Sequence, residues 1–532
     1  MIKNKLPSSC DALVIGSGST ALISALKIKD LKPDWSVWVV EKTQSLGGTS
    51  AYSGGGIWMP GHSFLENPEN DLVETQKYLK TLDPSLDDTQ VNAYLETSPR
   101  VFEYMRSKGI QLEGSIDYPD YYPGNEGFSF GRTIFPAVYK SSRKIRSLLR
   151  EKPYFFLPFT LNELTEWGPH RIKKWNKTLL TKRAVAGHFT MGQALIGFQL
   201  EACNNAGVNI ALGCNAEGLL IHNSEVTGVV VNGKTISSPV VIMGCGGFAH
   251  NPDLYQYTKA VRPVLSVAPE ECETGGGLAL ALDAGLKIGN SYCWWTPIMK
   301  LFSEGEKKPG PDLWAYHGLL YDRCWPGGIM VNGEGRRFIN ESANYNAVGS
   351  VLATDKDPDL DNVWLIWGDY YVKNYVRGVV SKYQPAKKYM NKSKNADELA
   401  SKIGVPASNL KETLERWNKM AGSEKDDDFQ RGEAPYDQYM GDRFRNGHPN
   451  IAQVDPPFQA VRVYPGCLGT KVGPVTDEFG RVHLENGEIV SGLYAAGNAA
   501  ASFLKNIYPG AGGSLGPAVV FGYRAACHAA GK

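Results

Sequence analysis

The sequence has few of the features that mark secreted, membrane-spanning or metal-binding proteins. Its 9 cysteines form no C-x-x-C pair and no cluster with histidine at ligand spacing, so we expect no metal site and no disulfide framework. No run of about 20 apolar residues is present, so no membrane-spanning helix is expected. Residues 1–7 lack an apolar export segment, which favours a cytoplasmic location.

An excess of charge of either sign is also missing. Lys and Arg number 56 against 55 for Asp and Glu, so we expect no broad electrostatic attraction to nucleic acid. What the sequence has in abundance is glycine, with 58 residues, and tyrosine, with 26. A chain of 532 residues is expected to form two or more domains. These totals favour an enzyme that acts on a small molecule.

The N-terminal region has the pattern of a dinucleotide site. Residues 11–15 form a short apolar strand that leads into Gly16-Ser17-Gly18-Ser19-Thr20-Ala21 and then into an amphipathic helix. A second strand ends at Glu41, 25 residues after Gly16, near the offset at which a carboxylate meets a ribose hydroxyl. The glycines allow close approach of the pyrophosphate to the helix N-terminus.

Further glycine-rich segments favour FAD over NAD. Residues 46–50 and 53–56 offer backbone that can lie against a flat ring system. Residues 240–247 and 493–498 are strands that each end in a small-residue turn, as in flavoprotein FAD domains. The alternative is a Rossmann-like fold whose extra glycines have no cofactor role. No second G-x-G-x-x-G unit follows, so we expect electrons to come from the substrate.

The residues expected at FAD come from all of these segments. They are Gly16, Gly18, Ser19, Thr20, Glu41, Lys42, Gly48, Thr49, Ser50, Ser53, Gly54, Gly55, Gly246, Gly247, Gly497, Asn498, Ser514 and Leu515.

The C-terminal segment has two interpretations. It reads IYPGAGGSLGPAVVFGYRAA, and Gly512 to Gly516 spell the G-x-S-x-G pattern of a hydrolase nucleophile. That fold requires an acid and then a histidine after the serine. Only His528 follows, and no Asp or Glu does. We therefore expect the turn and its helix to form the second wall of the flavin site, with the helix N-terminus facing it.

Four segments resemble the 3-ketosteroid Δ1-dehydrogenases, within the fumarate-reductase-type flavoproteins. They read EKTQSLGGTSAYSGGGIWMPG, RFINESANY, CLGTKVGPVTDEFGRV and GLYAAGNAAASFLKNIYPGAGGSLGPAVVFGYRAA. The resemblance, which covers nearly the whole chain, implies an α/β fold. A Rossmann-like FAD domain of the glutathione-reductase type would comprise residues 1–291 and 469–532, and an inserted α+β catalytic domain residues 292–468.

The resemblance also implies a reaction. Enzymes of this family introduce a C1–C2 double bond into ring A of a 3-ketosteroid, with proton removal at C2 and hydride transfer from C1 to flavin N5. The reduced flavin would pass its electrons to an external acceptor, a quinone or a similar compound.

Four residues match the family's catalytic positions. The Pro-Asp-Tyr-Tyr segment gives Tyr121 as a supporting residue, and Asn-Glu-Ser-x-x-Tyr gives Tyr345 as the base. The Tyr-Pro-Gly-x-Gly turn gives Tyr508 and the amide of Gly512 as donors to the C3 ketone. A phenol with an ordinary pKa near 10 is a weak base at neutral pH, so Tyr345 needs a donor such as Tyr121. The alternative for each tyrosine is a packed aromatic side chain.

Two other functions remain open from the sequence. A fumarate-type reductase would need arginines and histidines to hold a dicarboxylate, and Arg336, Arg337 and His317 are the available candidates. A binding protein that has lost its flavin would keep the fold without the reaction.

Two segments depart from the family pattern. Residues 274–277 read Thr-Gly-Gly-Gly where the wider group has an acidic residue, which leaves one ribityl contact without a partner. Residues 140–183 hold 12 Lys or Arg against 3 Glu, interleaved with aromatics. That composition predicts either a lid that touches a membrane surface or a surface excursion whose aromatics pack on the body.

Overall fold

The described residues form two main β-sheets with helices packed against them. In this computed structural model the described residues are 2–3, 5–149, 157–300, 316–375 and 390–531. The α-helices are α1 (Ser19–Leu31), α2 (Gly48–Tyr52), α3 (Pro68–Leu82), α4 (Asp88–Ser107), α5 (Arg143–Arg146), α6 (Leu161–Trp167), α7 (Lys177–Ala186), α8 (Met191–Ala206), α9 (Gly276–Asp283), α10 (Tyr345–Thr354), α11 (Asp369–Asn374), α12 (Ala396–Ile403), α13 (Ala407–Gly422), α14 (Pro435–Met440) and α15 (Leu515–Ala529).

The strands follow the same chain order. They are β1 (Ala12–Ile15), β2 (Val37–Glu41), β3 (Ile57–Trp58), β4 (Leu112–Gly114), β5 (Thr133–Pro136), β6 (Asn209–Leu212), β7 (Ala216–His222), β8 (Glu225–Val231), β9 (Lys234–Ser237), β10 (Val241–Met243), β11 (Leu265–Ser266), β12 (Ile288–Gly289), β13 (Cys293–Lys300), β14 (Tyr316–Gly318), β15 (Gly328–Val331), β16 (Val363–Trp367), β17 (Asn391–Ser393), β18 (Phe458–Thr470), β19 (Gly473–Pro474), β20 (Arg481–His483) and β21 (Ile489–Ala495).

The first sheet has the strand order β6-β2-β1-β10-β21-β8-β7. Its strands from β6 to β21 are parallel, and β1 is buried along its whole length, as expected where both faces of a sheet are covered. Strand β2 lies on one side of β1 and β10 on the other, so the strand order reverses at β1. Parallel sheets bind ligands at their carboxyl edge beside such a reversal. The predicted α/β class with a Rossmann-like sheet is confirmed.

The C-terminal helix packs beside the first sheet. Helix α15 packs directly on α1, and a Cβ at Gly522 would lie 2.9 Å from Ser24 Oγ. The Ser24 hydroxyl donates to Gly522 O across the helix pair at 2.9 Å. Small residues therefore let the tail approach the helix that follows the first glycine turn.

Strands β8 and β9 form a hairpin around an Asn-Gly turn. Strands β8 and β9 pair antiparallel, with Val231 opposite Lys234. Asn232 and Gly233 connect them with φ values of 47° and 70°, which is the conformation that an Asn-Gly turn favours.

The second sheet is built around the long strand β18. Strands β13 and β16 flank it antiparallel, and β14 and β15 extend the sheet on the two sides. Strand β11, which lies inside the predicted FAD domain of residues 1–291, also pairs with β18. Strand β18 ends at Thr470, whose hydroxyl accepts the Phe248 amide at 3.2 Å. The domain boundaries stay a prediction.

The predicted excursion at residues 140–183 is partly described. Residues 150–156 lie outside the described residues. Phe159 and Trp175 are buried in a small cluster with Leu164 and Leu180, so these two aromatics pack inward. Within the described part of the chain, no helix is long and apolar enough to cross a membrane.

A buried charge network surrounds Glu341, four residues before the start of α10. Arg337 Nη2 lies 2.8 Å from Glu341 and 2.8 Å from Asp426, and Arg431 lies 3.4 Å from Glu341. Burial alone would raise the pKa of Glu341, but the charge and hydrogen bonds of Arg337, with the charge of Arg431, hold it below its usual value. The carboxylate therefore stays ionised and paired.

Removing that carboxylate should strongly destabilise the fold. Glu341→Ala leaves Arg337 and Arg431 buried with one anion fewer, so we expect a loss of about 3–5 kcal/mol in the free energy of unfolding. Chemical denaturation measures it. The control is Glu412→Ala, whose exposed pair with Arg336 should contribute less than about 1 kcal/mol. Equal losses in the two variants would contradict the structural role of the network.

Candidate active site

The first glycine turn is as tight as the dinucleotide pattern requires. Gly16 has φ +97°, and a Cβ there would lie 2.7 Å from Gly244 O. Gly18 precedes α1 as its N-cap, and the Ser19 amide donates to Ser50 Oγ at 3.2 Å. The N-termini of α1 and α2 thus meet at the carboxyl edge of the first sheet, with Thr20 one residue further along α1.

The acidic residue predicted for the ribose ends β2. Glu41 is buried, and its carboxylate accepts the Ser17 hydroxyl at 2.6 Å and the Thr43 amide at 2.9 Å. Lys42 points across the site, where its Nζ donates to Thr274 Oγ1 at 2.6 Å. Both side chains are therefore oriented by neighbours at the edge of the sheet.

The second glycine segment leaves room beside the backbone. A Cβ at Gly48 would meet nothing within 4 Å, and the Thr49 hydroxyl is buried with no hydrogen-bond partner among the described residues. Gly54 and Gly55 follow α2, and a Cβ at Gly55 would lie 2.6 Å from the Met191 carbonyl carbon.

Ser53 connects this segment to α8. Its hydroxyl donates to Ser50 O and accepts the Gly55 amide, and its carbonyl accepts the Gly192 amide at 3.1 Å. The glycine segment is therefore held from behind, with its open side at Gly48.

Trp294 and Glu273, which the sequence did not single out, lie beside the predicted residue Asn498. Asn498 accepts Trp294 Nε1 at 3.0 Å and donates to Glu273 at 3.2 Å. Burial raises the pKa of Glu273 to about 7. Glu273 immediately precedes the Thr-Gly-Gly-Gly segment that departs from the family pattern, and this is the signal that could have identified it.

Gly246, Gly247 and Gly497 lie in the same region. A Cβ at Gly247 would lie 2.1 Å from Thr470 Oγ1, and one at Gly497 would lie 2.5 Å from Thr20 Oγ1. Gly246 has φ +78°, which favours glycine. The backbone is therefore closely packed just after the ends of β10 and β21.

The three predicted catalytic tyrosines lie together. Tyr121 donates its hydroxyl proton to the Tyr345 hydroxyl at 2.8 Å. The ring of Tyr508 lies 5.3 Å from that of Tyr121 and 5.4 Å from that of Tyr345. All three are buried, so segments distant in sequence form one cluster of phenols.

Backbone hydrogen bonds bring these segments into register. The Tyr121 amide donates to Pro509 O at 2.9 Å, and the Tyr78 hydroxyl donates to the same oxygen at 3.0 Å. Asn344 donates its side-chain amide to Tyr121 O at 3.0 Å. Its side-chain oxygen also caps α10 by accepting the Ala347 amide.

Tyr345 is the first residue of α10, and both its burial and this position affect its pKa. Burial raises its pKa well above the ordinary value, as do the nearby Tyr508 and Tyr118. The hydrogen bond from Tyr121 lowers the pKa. The partial positive charge of the helix N-terminus also favours a phenolate.

Tyr508 faces the turn that follows it. Burial raises its pKa, and the hydrogen bond with Tyr345 acts against that increase. Hydrogen bonds with Ser514 and the Gly512 amide also lower the pKa of Tyr508. The Gly512 amide therefore lies within hydrogen-bonding reach of the Tyr508 hydroxyl. Ser514, predicted at the cofactor, lies beside this tyrosine and directly before Leu515.

Gly512 is required by the close approach of another segment. It has φ +83°, and a Cβ there would lie 2.3 Å from the Gly56 carbonyl carbon. The Gly512 carbonyl accepts the Trp58 amide at 3.1 Å. The turn is therefore packed against β3 and the segment before it.

Further aromatic residues surround the cluster. The ring of Tyr436 lies 5.0 Å from Tyr121, and that of Trp294 lies 4.8 Å from Tyr508. Tyr118 packs on Tyr439 at 4.7 Å. The sequence did not single out these side chains from the other tyrosines and tryptophans, because their role depends on contacts far apart in the chain.

A buried lysine holds the segment that directly precedes Tyr508. Lys471 Nζ donates to Lys505 O and Ile507 O, each at 2.7 Å, and lies 3.7 Å from the centre of the Trp294 ring. Burial lowers its pKa well below the usual value. This residue ties the end of β18 to the segment just before Tyr508.

The residues of the competing interpretations have other partners. His528 bonds the Tyr494 hydroxyl at 2.9 Å, so it does not support a hydrolase site at Ser514. His317 pairs with Asp322 at 3.1 Å. Arg336 pairs with Glu412, and Arg337 lies in the network described above.

Comparison with known families agrees with this geometry. Residues 11–515 match the model of the family described as FAD binding domain. The chain belongs to this FAD binding domain family. FAD is therefore its cofactor, as the glycine-rich segments predicted.

The curated relatives match over nearly the whole chain. A 3-oxosteroid 1-dehydrogenase of Mycobacterium tuberculosis is 31% identical, with 98% of each chain covered. A 4-oxocyclohexanecarboxylate 2-dehydrogenase of Sinomonas cyclohexanicum is 32% identical, with 99% of this chain and 93% of the relative covered. Within the FAD binding domain family, the chain groups with the 3-oxosteroid 1-dehydrogenases, as the four segments indicated.

A solved structure shows the same fold. The crystal structure of the 3-ketosteroid Δ1-dehydrogenase from Sterolibacterium denitrificans, in complex with 1,4-androstadiene-3,17-dione, superposes with a TM-score of 0.87. It is 31% identical, with 99% of this chain and 100% of that chain covered.

The residues present fit FAD. The open side of Gly48 and the unpartnered hydroxyl of Thr49 offer space and a polar contact. A surface pocket is lined in part by Gly497, Asn498 and Ser514. These features come from the segments whose glycines predicted the cofactor.

Proposed function

We propose that this chain is an FAD-dependent dehydrogenase that introduces a C1–C2 double bond into ring A of a 3-ketosteroid. The observation that carries the proposal is the convergence of Tyr121, Tyr345 and Tyr508 with the amide of Gly512. The relatives named as 3-oxosteroid 1-dehydrogenases support it. A 3-ketosteroid bound here would meet two neutral donors and one acceptor of a proton.

The Tyr508 hydroxyl and the Gly512 amide act on the C3 ketone. The Gly512 amide is near enough to the Tyr508 hydroxyl to lower its pKa, which supports a common acceptor for the two groups. Two donors aimed at one oxygen stabilise the negative charge that develops when C2 loses a proton. Because neither donor is charged, the ketone remains free to leave after the reaction.

Tyr345 removes the C2 proton. Its hydroxyl already accepts a hydrogen bond from Tyr121, which stabilises the phenolate that must form. Its hydrogen bond with Tyr508 acts in the opposite direction and raises its pKa. When Tyr508 donates to a bound ketone instead, that effect is removed, the pKa of Tyr345 falls, and more of it is phenolate at neutral pH.

Bound FAD supplies the two-electron acceptor for the hydrogen lost from C1. Gly16, Gly18 and Glu41 would hold its dinucleotide end. Gly48 and Thr49 would face its flavin end. An external acceptor of the quinone class would reoxidise it, because the chain has no second dinucleotide motif.

The inserted segment contributes the base. We place residues 292–468 in a catalytic unit that provides Tyr345, and residues 1–291 and 469–532 in the FAD unit that provides Tyr121 and Tyr508. The buried aromatics Tyr118, Tyr436 and Tyr439 suit an uncharged ring system, because a steroid offers little charge to bind.

A smaller cyclic ketone is the second candidate. The Sinomonas cyclohexanicum relative that acts on 4-oxocyclohexanecarboxylate is as similar as the steroid enzymes. The fumarate-type reductase is less supported, because Arg336 and Arg337 pair with carboxylates of the protein. Turnover of 3-ketosteroids and of 4-oxocyclohexanecarboxylate, measured side by side with an artificial acceptor, separates these candidates.

Tyr508→Phe should reduce turnover far more than binding. Loss of one donor to the developing enolate should lower kcat about 10²–10³-fold while KM changes little. The measurements are steady-state turnover of androst-4-ene-3,17-dione with an artificial acceptor and the anaerobic bleaching of the yellow holoenzyme by the same steroid. Tyr523→Phe, in α15 and half-buried against Tyr104, is the control. A wild-type flavin that no ketone bleaches would overturn the proposed function and favour a binding protein.

The rate should rise with pH. Because the pKa of Tyr345 is raised, only a small fraction is phenolate at neutral pH, and that fraction grows about tenfold per pH unit below the pKa. The proton-transfer rate, measured by single-turnover bleaching between about pH 6 and about pH 9, should follow it. A pH-independent rate would argue against Tyr345 as the base. Tyr345→Phe should remove the rise together with most of the activity.

Membrane contact through residues 140–183 stays a prediction, as does the cytoplasmic location. Trp167 is half-buried and Leu157 is 40% exposed, so a few apolar side chains remain at this surface. Basic residues nearby would favour anionic lipid. The holoenzyme should pellet with anionic liposomes and not with neutral ones. Absence from both pellets would leave the packed excursion as the correct interpretation.

A further inference from the structure

A buried hydroxyl lies directly behind the turn that follows Tyr508. Thr133 is the first residue of β5, is 2% exposed, and donates its hydroxyl proton to Ala511 O at 2.8 Å. The two residues are 378 positions apart in the chain. This contact therefore joins the small sheet of β3, β4 and β5 to the C-terminal turn.

The oxygen that Thr133 binds belongs to a particular peptide group. Ala511 C=O and Gly512 N–H are the two polar ends of one peptide unit, which is planar. A hydrogen bond that orients the oxygen therefore also orients the N–H on the opposite side. That N–H is the group that acts on Tyr508 and, in the proposed function, on the ketone oxygen.

The same hydrogen bond affects the strength of the donor. When a carbonyl accepts a hydrogen bond, its peptide group is polarised and its N–H becomes a better donor, an effect that chains of hydrogen bonds share. The site is enclosed by buried side chains, where such effects are larger than in water. The Thr133 hydroxyl thus acts on both the direction and the polarity of the Gly512 amide.

Packing holds the Thr133 side chain in this orientation. Thr133 pairs with Trp58 between β3 and β5, and its methyl group would lie 3.5 Å from a Cβ at Gly56. The Gly512 carbonyl, which belongs to the next peptide unit, accepts the Trp58 amide. Consecutive peptide units of the turn are therefore held by the same two strands.

We infer that Thr133 is a positioning residue that aligns and polarises the Gly512 amide for the ketone oxygen of the substrate. This inference rests on the proposed function, because the amide has this task only in a reaction that develops charge on that oxygen. Thr133 itself does not contact the reacting atoms.

The test compares variants that keep or remove the hydroxyl. Thr133→Val keeps the shape of the side chain and should lower kcat about fivefold to tenfold, the effect expected for one hydrogen bond, with little change in KM. Thr133→Ser retains the donor and should restore most of the rate. Thr133→Ala replaces the valine variant if the latter does not fold with FAD.

A matched control is available in the second sheet's helices. Thr413, in α13, donates its hydroxyl to Gly335 O, also at 2.8 Å, and is likewise buried. Thr413→Val should leave kcat unchanged, even if it lowers stability as Thr133→Val does. Equal kcat in the two valine variants would overturn the inference.

A second measurement reports the amide itself. In the complex with a dienone product, stronger hydrogen bonding lowers the carbonyl stretching frequency of the bound ketone. Thr133→Val should move this frequency towards that of the free ketone, and Thr133→Ser should move it back. If the frequency is the same in the wild type and in Thr133→Val, the inference is wrong. A wild type that desaturates no cyclic ketone would instead show that the proposed function is wrong.

Discussion

The carbonyl of Pro509 is the point on which the arrangement of the site depends. It accepts both the Tyr121 amide and the Tyr78 hydroxyl. The first bond joins the segment carrying Tyr121 to the turn carrying Tyr508, and Asn344 then joins the same segment to α10 and Tyr345. Three parts of the chain with no local relation are thereby held at fixed distances. A hydrogen-bonded cluster of phenols requires that precision, because its geometry decides which oxygen holds the proton.

Burial gives the cluster its chemical character. Each tyrosine is withdrawn from water, which raises the pKa of every one of them. An uncharged, aromatic site suits an uncharged ring system. It also makes proton removal difficult, so Tyr345, as the proposed base, depends on the hydrogen bond from Tyr121 and on the N-terminus of α10. The charged network around Glu341 holds the segment that leads to Tyr345.

The cofactor end and the overall class could be predicted from the sequence because their signals are local. The turn at Gly16, the strand that ends at Glu41 and the hairpin at Asn232 each depend on a few neighbouring residues. The tyrosines 121, 345 and 508 were found by resemblance, and their common location follows from the fold. Their catalytic roles stay predictions. Trp294 and Lys471 were missed, as was the strand pairing of β11 with β18, because contacts between distant segments leave no periodic pattern. Glu273 was also missed, although it directly precedes the segment that departs from the family pattern.

The central claim is that the Tyr508 hydroxyl and the Gly512 amide bind one ketone oxygen beside the flavin. A crystal structure of the FAD holoenzyme with a dienone product tests it most directly. The account predicts that the C3 oxygen lies about 3 Å from Tyr508 Oη and from Gly512 N, with C2 facing Tyr345 Oη. A product whose ketone points away from residues 508 and 512, towards any other part of the chain, would contradict it.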